Sequence, residues 1–582
     1  MAQTVRTNKR TAGPHSTKRG RATYDNEAAE IVAPLDLLLN DAALGIGRRL
    51  LPNRSWVRFG LALARRPRVV VGQGRDLVVE LANVARGTSE RIPERSDKRF
   101  TDAAWSQNPV LKRAMQAYLA TADAAYGVLS GADLEWRDQE RMNFVIENLV
   151  DALSPSNNPL LSPLGYKEAI DTGGASVSRG VFRFVRDLTT KPRVPSMVES
   201  HAFTVGGTVA TTAGSVVFQS RVFELIQYAP RTPTVRSAPL LIVPPVINKF
   251  YIVDIAPGRS LIEYFVEQGQ QVFVISWRNP KARHRDWGFD TYGSAILDGI
   301  AAAESITGCD RTHLFGTCSG GTLASMVVAH LTAIGQANRI AGLALGVTVL
   351  DQTKAGVAVA LADESVVNRA IRSSAARGYL DGRALAEVFA WLRPNDLIWR
   401  YWVNNYIQGR KPTPFDVLFW NADTTRMSAA LHRDMVQTGL TNALTEPGGA
   451  TMLDTAVDLS KVTVDTYVIA GIADHISPWQ ACYRSARLLG GEIRFVLSTS
   501  GHIASLVNPP GNPRASYRFG PPDIESAEEW LEIAEQHQDS WWPDYVAWLA
   551  KRSGPERKAP KALGASALPP LMRAPGSYVS EK

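Results

Sequence analysis

The stretch Arg311-Thr312-His313-Leu314-Phe315-Gly316-Thr317-Cys318-Ser319-Gly320-Gly321-Thr322 reads as a short apolar strand that breaks at Cys318 and resumes as an apolar helix. A strand turning that sharply into a helix strains the residue at its tip and leaves no room for side chains two positions before and two after. Gly316 and Gly320 supply that room. This is the nucleophile elbow, with cysteine where serine usually stands. A helix starting at about Ser319 points its unpaired N–H groups at the sulfur, and a helix N-terminus favours the thiolate. Cys318 is therefore expected to react as a nucleophile.

Around the elbow, short β-rich runs alternate with helical stretches from about residue 200: 216–220, 222–228, 240–243, 271–276, 312–315, 340–345, 465–470 and 493–497. Continuous apolar runs separated by helices predict an α/β domain whose parallel sheet is covered on both faces. The rhythm stops between about 351 and 450, where a Trp-, Asn- and Arg-rich segment intervenes. An insertion there reads as a cap over the active site. Upstream, apolar residues at three- and four-residue spacing, as in 109–119 and 143–150, predict a separate helical domain over 34–199.

The chain has 582 residues, more than one hydrophobic core normally supports. Its ends, 1–33 and 553–582, are rich in Lys, Arg, Pro, Gly, Ala and Ser without apolar periodicity, so both are expected to be disordered tails flanking a catalytic domain over 200–552. Much of the net charge of +8 lies in these ends, with Arg6, Lys9, Arg10, Lys18, Arg19 and Arg21 preceding the first acidic residue, Asp25. Such tails are solvated and can touch nucleic acid or an anionic surface. Three widely spaced cysteines, Cys309, Cys318 and Cys482, argue against a disulfide framework or a zinc site and suit a reducing cytoplasm. Neither a cleaved secretion signal nor a transmembrane segment is expected. No phosphate-binding G-x-x-x-x-G-K-[ST] loop and no paired C-x-x-C is found, so NTP hydrolysis and metal chemistry lack support.

On this fold the chain order of a catalytic triad is nucleophile, acid, base. Beyond Cys318, one strand runs out into Gly471-Ile472-Ala473-Asp474-His475 and the next into Ser498-Thr499-Ser500-Gly501-His502. Asp474 and His502 are thus the candidate acid and base, with Asp351, at an earlier strand end, as the rival acid. The oxyanion hole is expected to combine the backbone N–H of Ser319 with that of Ile247, in the loop 244–251.

At these residues the chain resembles the one-subunit polyhydroxyalkanoate synthases. The stretches that carry the resemblance are PPVINKFYIVD (244–254), QVFVISWRNP (271–280), FGTCSGG (315–321), WLRPNDLIWRYWVNNY (391–406), FDVLFWNADTTRM (415–427), GIADHISPWQ (471–480) and SGHIASLVNPPGNP (500–513). DKRFTDAAWSQNP (97–109) and DSWWPDYVAWL (539–549) extend it to nearly everything between the two tails. It implies an α/β-hydrolase fold with a cap, a Cys318–Asp474–His502 triad, and polymerisation of 3-hydroxyacyl-CoA with release of coenzyme A. It also implies a homodimer at the surface of cytoplasmic polyester granules with their associated proteins. No resident cofactor is needed, because coenzyme A belongs to substrate and product. Cysteine suits this chemistry, since a thioester-held chain can still drive ester formation whereas an ester-held chain is no higher in energy than the polymer.

The alternatives are a cysteine thioesterase or intracellular polyester depolymerase of the same fold, and a non-catalytic granule-coat protein. The side-chain length of the monomer is not fixed by sequence. Lys249, Arg278 and Arg393 are candidate partners for the phosphates of coenzyme A, although an ordinary ion pair is the commoner role for each. The family implies that Asp474 assists at the incoming 3-hydroxyl, while orientation of His502 is equally compatible with its position. A thiol beside an imidazole needs less help to ionise than a serine hydroxyl, so an Asp474→Asn protein is expected to acylate once and then stall.

Overall fold

The computed structural model describes residues 54–582 apart from 96, 191, 354–363, 384–386, 388–389, 392–393 and 475. The basic segment 1–33, with 34–53, lies outside the described residues, as do Arg393 and His475.

The centre of the molecule is an eleven-stranded sheet. In chain order its strands are β1 (Gly214–Gln219), β2 (Phe223–Tyr228), β3 (Leu240–Val243), β4 (Val272–Trp277), β5 (Thr312–Thr317), β6 (Ile340–Gly346), β7 (Thr466–Gly471), β8 (Ile493–Ser498), β9 (Ser516–Gly520), β10 (Glu535–Gln538) and β11 (Met572–Arg573). Their spatial order is β10-β9-β8-β7-β6-β5-β3-β4-β2-β1-β11. Strands β4, β3, β5, β6, β7 and β8 run parallel, and the outer strands are antiparallel. An all-parallel sheet does not form because short links such as residues 220–222 between β1 and β2 can close only a hairpin.

The period of two fixes both faces. Leu241, Val243, Phe273, Ile275, Leu314 and Leu343 point to one side, where helices Phe289–Thr307 and Ser319–Ala333 cover them. Leu240, Ile242, Val272, Val274, Phe315 and Ala344 point to the other, against Leu261–Glu267 and Trp542–Ala550. Each fully buried large apolar side chain of this set is worth about 1.5–3 kcal/mol.

Between β6 and β7 the chain leaves the sheet to build the cap. Its described helices include Glu364–Arg377, Asp416–Ala422 and Ala429–Leu440, with two wide π-helical turns at Asn395–Trp399 and Trp402–Ile407. The upstream region is helical, with Arg54–Arg65, Pro67–Arg86, Pro109–Gly131, Trp136–Ala152 and Ala175–Thr189 among its elements. It docks on the cap. Trp402 Nε1 donates to the Asn157 carbonyl, Asn405 Nδ2 to the Ser196 carbonyl, and the Tyr406 hydroxyl to Asp187. Gly180 is pressed so closely on the Tyr406 carbonyl that a Cβ would lie 2.0 Å from its oxygen.

The segment 553–582, expected from composition to be a disordered tail, is instead packed structure. Its strand β11 pairs with β1, and Tyr578 and Val579 are buried. Buried Glu224 on β2 anchors it, accepting hydrogen bonds from the Ser577 N–H and hydroxyl and from the Tyr578 N–H. Beyond that hook, Lys249 Nζ donates to the carbonyls of Tyr578 and Glu581, and Lys582 pairs with Asp423 of the cap at 2.8 Å. Composition misled here because a few buried side chains, short strand pairings and the Glu224 carboxylate hold a segment that is otherwise polar.

Candidate active site

The elbow has the geometry its glycines foretell. Cys318 sits at φ 50°, ψ −124°, between the end of β5 and the first residue of helix Ser319–Ala333, and its N–H donates to the Gly346 carbonyl of β6. Strain of that kind persists only where the surroundings over-determine it. They do so here. A Cβ on Gly316 would meet the Gly321 Cα at 2.5 Å, and one on Gly320 would meet the Val243 and Pro244 carbonyl oxygens at 2.3 and 2.5 Å. A third glycine that the motif alone does not single out, Gly321, lies against Thr348, with its missing Cβ 2.0 Å from the Thr348 hydroxyl.

His502 begins a short helix after β8, and Asp474 lies in the turn after β7. The parallel pairing of β7 with β8, ending at Gly471 opposite Ser498, brings the two loops together. His502 Nδ1 and Asp474 Oδ2 are 2.7 Å apart, and both side chains are buried. The other carboxylate oxygen, Oδ1, accepts the N–H groups of Ile476 and Ser477, each at 2.9 Å. Both oxygens of Asp474 are therefore engaged, and Nε2 of His502 is the ring nitrogen left for the Cys318 thiol. Burial alone would push the imidazole down; Asp474, and after it Cys318, overcome that and push His502 up to about 10. The buried carboxylate thus favours the charged ring, the form able to give its proton to a leaving thiolate.

The loop 244–251 after β3 lies across the start of the elbow helix. The Val246 N–H donates to the Ser319 hydroxyl at 3.1 Å, a tie that sequence reading missed because it needs the pairing of β3 with β5 to bring the residues together. Ile247, next in the chain, is buried, and its carbonyl accepts the Thr425 N–H of the cap. Ser319 opens the helix, so its own N–H has no partner one turn earlier within that helix.

Against this geometry stand the comparisons with known proteins. Residues 96–265 match the family model of the poly-beta-hydroxybutyrate polymerase N-terminus, and residues 249–509 match that of the α/β hydrolase fold. Poly(3-hydroxyalkanoate) polymerase 2 of Ectopseudomonas oleovorans is 45% identical over 500 residues, 86% of this chain and 89% of that one. This chain belongs to the poly(3-hydroxyalkanoate) polymerases. Polymerase 1 of the same organism is 44% identical over 504 residues, covering 87% and 90% of the two chains. The polymerase subunit of Cupriavidus necator is 39% identical over 508 residues, 86% and 85%.

The rival acid Asp351 and two further histidines lie elsewhere. Asp351 is held by the Thr353 N–H, by Asn442 Nδ2 and by Arg484, well integrated into the base of the cap. His432 bonds Ser374 inside the cap, and His537 pairs with Glu535 on an outer strand. Two of the proposed phosphate partners hold segment 578–582 instead. Lys249 is buried against its carbonyls, and burial lowers its pKa to about 8 despite the nearby Asp423. Arg278 stacks on Tyr578 and pairs with Glu581 at 3.2 Å. Among the described residues no group of three or more His, Cys, Asp or Glu side chains could hold a metal ion, and no helix is long and apolar enough to cross a membrane.

Proposed function

We propose that this polymerase builds its polyester on Cys318, with His502 as the proton carrier and Asp474 as the residue that orients it. The observation that carries this reading is the buried Asp474–His502 hydrogen bond of 2.7 Å, facing a cysteine strained at the tip of an elbow. The Cys318 thiolate attacks the thioester carbonyl of a 3-hydroxyacyl-CoA. The N–H groups of Ser319 and Ile247 hold the oxyanion, and coenzyme A leaves as a thiol with the proton of His502. His502, now neutral, takes the proton of the next monomer's 3-hydroxyl as its oxygen attacks the Cys318 thioester. An ester forms, the Cys318 thiolate leaves, and the lengthened chain on coenzyme A is returned to Cys318 in a second transfer. One coenzyme A is released for each monomer added.

With both oxygens of Asp474 engaged, its role in this scheme is to fix the tautomer of His502 rather than to reach the incoming hydroxyl. The polyester granule in the cytoplasm is the partner surface. In support, helix Ala175–Thr189 leaves Val177, Val181, Phe182, Val185 and Leu188 each more than half exposed. We further propose a homodimer, for which analytical ultracentrifugation should give twice the chain mass. Purified protein given 3-hydroxyacyl-CoA should release coenzyme A in step with insoluble polyester. Stoichiometric free hydroxy acid without polymer would point instead to a thioesterase.

A further inference from the structure

We propose that the cleft between helix Ala175–Thr189, the strand-free segment 192–201 and cap residues 411–424 binds the 3′-phosphorylated ADP end of the CoA thioester. This assignment rests on the polymerase reading above. The cleft encloses about 560 Å³, within the usual range for a cofactor-sized ligand. Its lining includes Arg183, Arg186, Arg383 and Lys411, of which Arg186 pairs with Asp187, Lys411 with Glu199 and Arg383 with Asp381.

Those carboxylates are already committed. Asp187 accepts from Arg186, the Ser196 N–H and hydroxyl, and Tyr406, and Glu199 pairs with Lys411 at 3.1 Å. Arg183 donates to the Arg410 carbonyl, and among the described residues it pairs with no carboxylate. Burial, and then the charges of Arg186 and Arg179, lower its pKa, with Glu199 and Asp187 opposing them. A bound phosphate would offset that lowering through charge-assisted hydrogen bonds.

The position fits the chemistry as well as the charge. Asn421 and Thr424 form part of the cleft wall, and Thr424 bridges directly to Asn248 while the Thr425 N–H binds the Ile247 carbonyl. The cleft therefore backs onto the loop that crosses the elbow. The same loop holds Val246, whose N–H donates to the hydroxyl of Ser319 beside Cys318, so cleft and nucleophile share one loop. The competing cations near that loop, Lys249 and Arg278, are occupied by segment 578–582.

The test uses the full chain and compares wild type with Arg183→Glu and Lys411→Glu. Two thioesters of the same 3-hydroxy acid are supplied, one of coenzyme A and one of N-acetylcysteamine, which lacks the nucleotide. For the CoA thioester KM should rise about tenfold or more with kcat within twofold, the loss expected for one charged hydrogen bond. Turnover of the N-acetylcysteamine thioester should not change. Coenzyme A and 3′-dephospho-CoA titrated calorimetrically into the Cys318→Ala protein read the cleft without any turnover, and Arg183→Glu should abolish the preference for coenzyme A. Equal losses on both thioesters, or coenzyme A affinity unmoved by either substitution, would overturn the cleft assignment. Absence of turnover by wild type with intact coenzyme A binding would instead count against the polymerase mechanism.

Discussion

Replacing Asp474 by Asn keeps its shape and removes its charge. Oδ1 can go on accepting from Ile476 and Ser477, which leaves the new amide group 2.7 Å from His502 Nδ1. Donor then faces donor, and the imidazole must adopt the tautomer with its proton on Nε2, where it cannot take the thiol proton. The charge matters as well. Burial opposes the imidazolium, yet His502 is pushed up to about 10, first by Asp474 and then by Cys318. Asp474 contributes more of this than Cys318 does. Loss of the orienting carboxylate should slow acylation of Cys318 by orders of magnitude, up to about the 10⁴-fold seen when the triad aspartate of a serine protease becomes asparagine. Rapid-quench measurement of the first coenzyme A released, with intact-mass analysis of the acyl-enzyme, checks the figure. Acylation at the wild-type rate followed by a stall with short chains would refute the orienting role and assign Asp474 to the hydroxyl. That stall is what thiol chemistry alone predicts, and the engagement of both carboxylate oxygens is the reason for expecting otherwise.

Other parts of the molecule give equally definite expectations. Gly320→Ala places a methyl 2.3 Å from the Val243 carbonyl oxygen and should cost activity by a hundredfold or more with the overall circular dichroism retained, whereas Gly60→Ala, which meets nothing, should be silent. Glu224→Ala strands the Ser577 and Tyr578 N–H groups, so about 2–3 kcal/mol should be lost from denaturant unfolding and segment 572–582 should become sensitive to protease. His313 is buried on β5, and burial, then Arg311 and Arg552, lower it to about 3. The unfolded chain binds that proton below about pH 6.5 and the folded one does not until about 3, so acid favours unfolding across that window, by up to about 5 kcal/mol. Urea titrations from pH 7 to 4 should show a shallower loss of stability in His313→Asn than in wild type.

The elbow was legible because its spacing is local, two glycines flanking Cys318: Gly316 is demanded by the backbone of Gly321, although the backbone that demands Gly320, at Val243 and Pro244, comes from β3 and its following loop. The α/β class was legible for the same reason, since β3 to β8 are uninterrupted apolar runs. What sequence could not decide depended on contacts between distant segments. Asp351 and Asp474 both stand at strand ends, and only the pairing of β7 with β8 shows which one meets His502. The docking of the helical region on the cap rests on Trp402, Asn405 and Tyr406, whose partners lie about 200 residues away or more. Segment 553–582 looked like a solvated end because its anchor, Glu224, is more than 350 residues earlier in the chain.

The central claim is that the growing chain is carried by the sulfur of Cys318. Peptide mapping by mass spectrometry, after quenching the enzyme in acid within milliseconds of mixing with 3-hydroxyacyl-CoA, tests it most directly. Hydroxyacyl adducts of increasing length are expected on the peptide that contains Cys318, labile to hydroxylamine, and none on peptides containing Cys309 or Cys482. Polymer formed with Cys318 unmodified throughout, or by a Cys318→Ala protein, would contradict it.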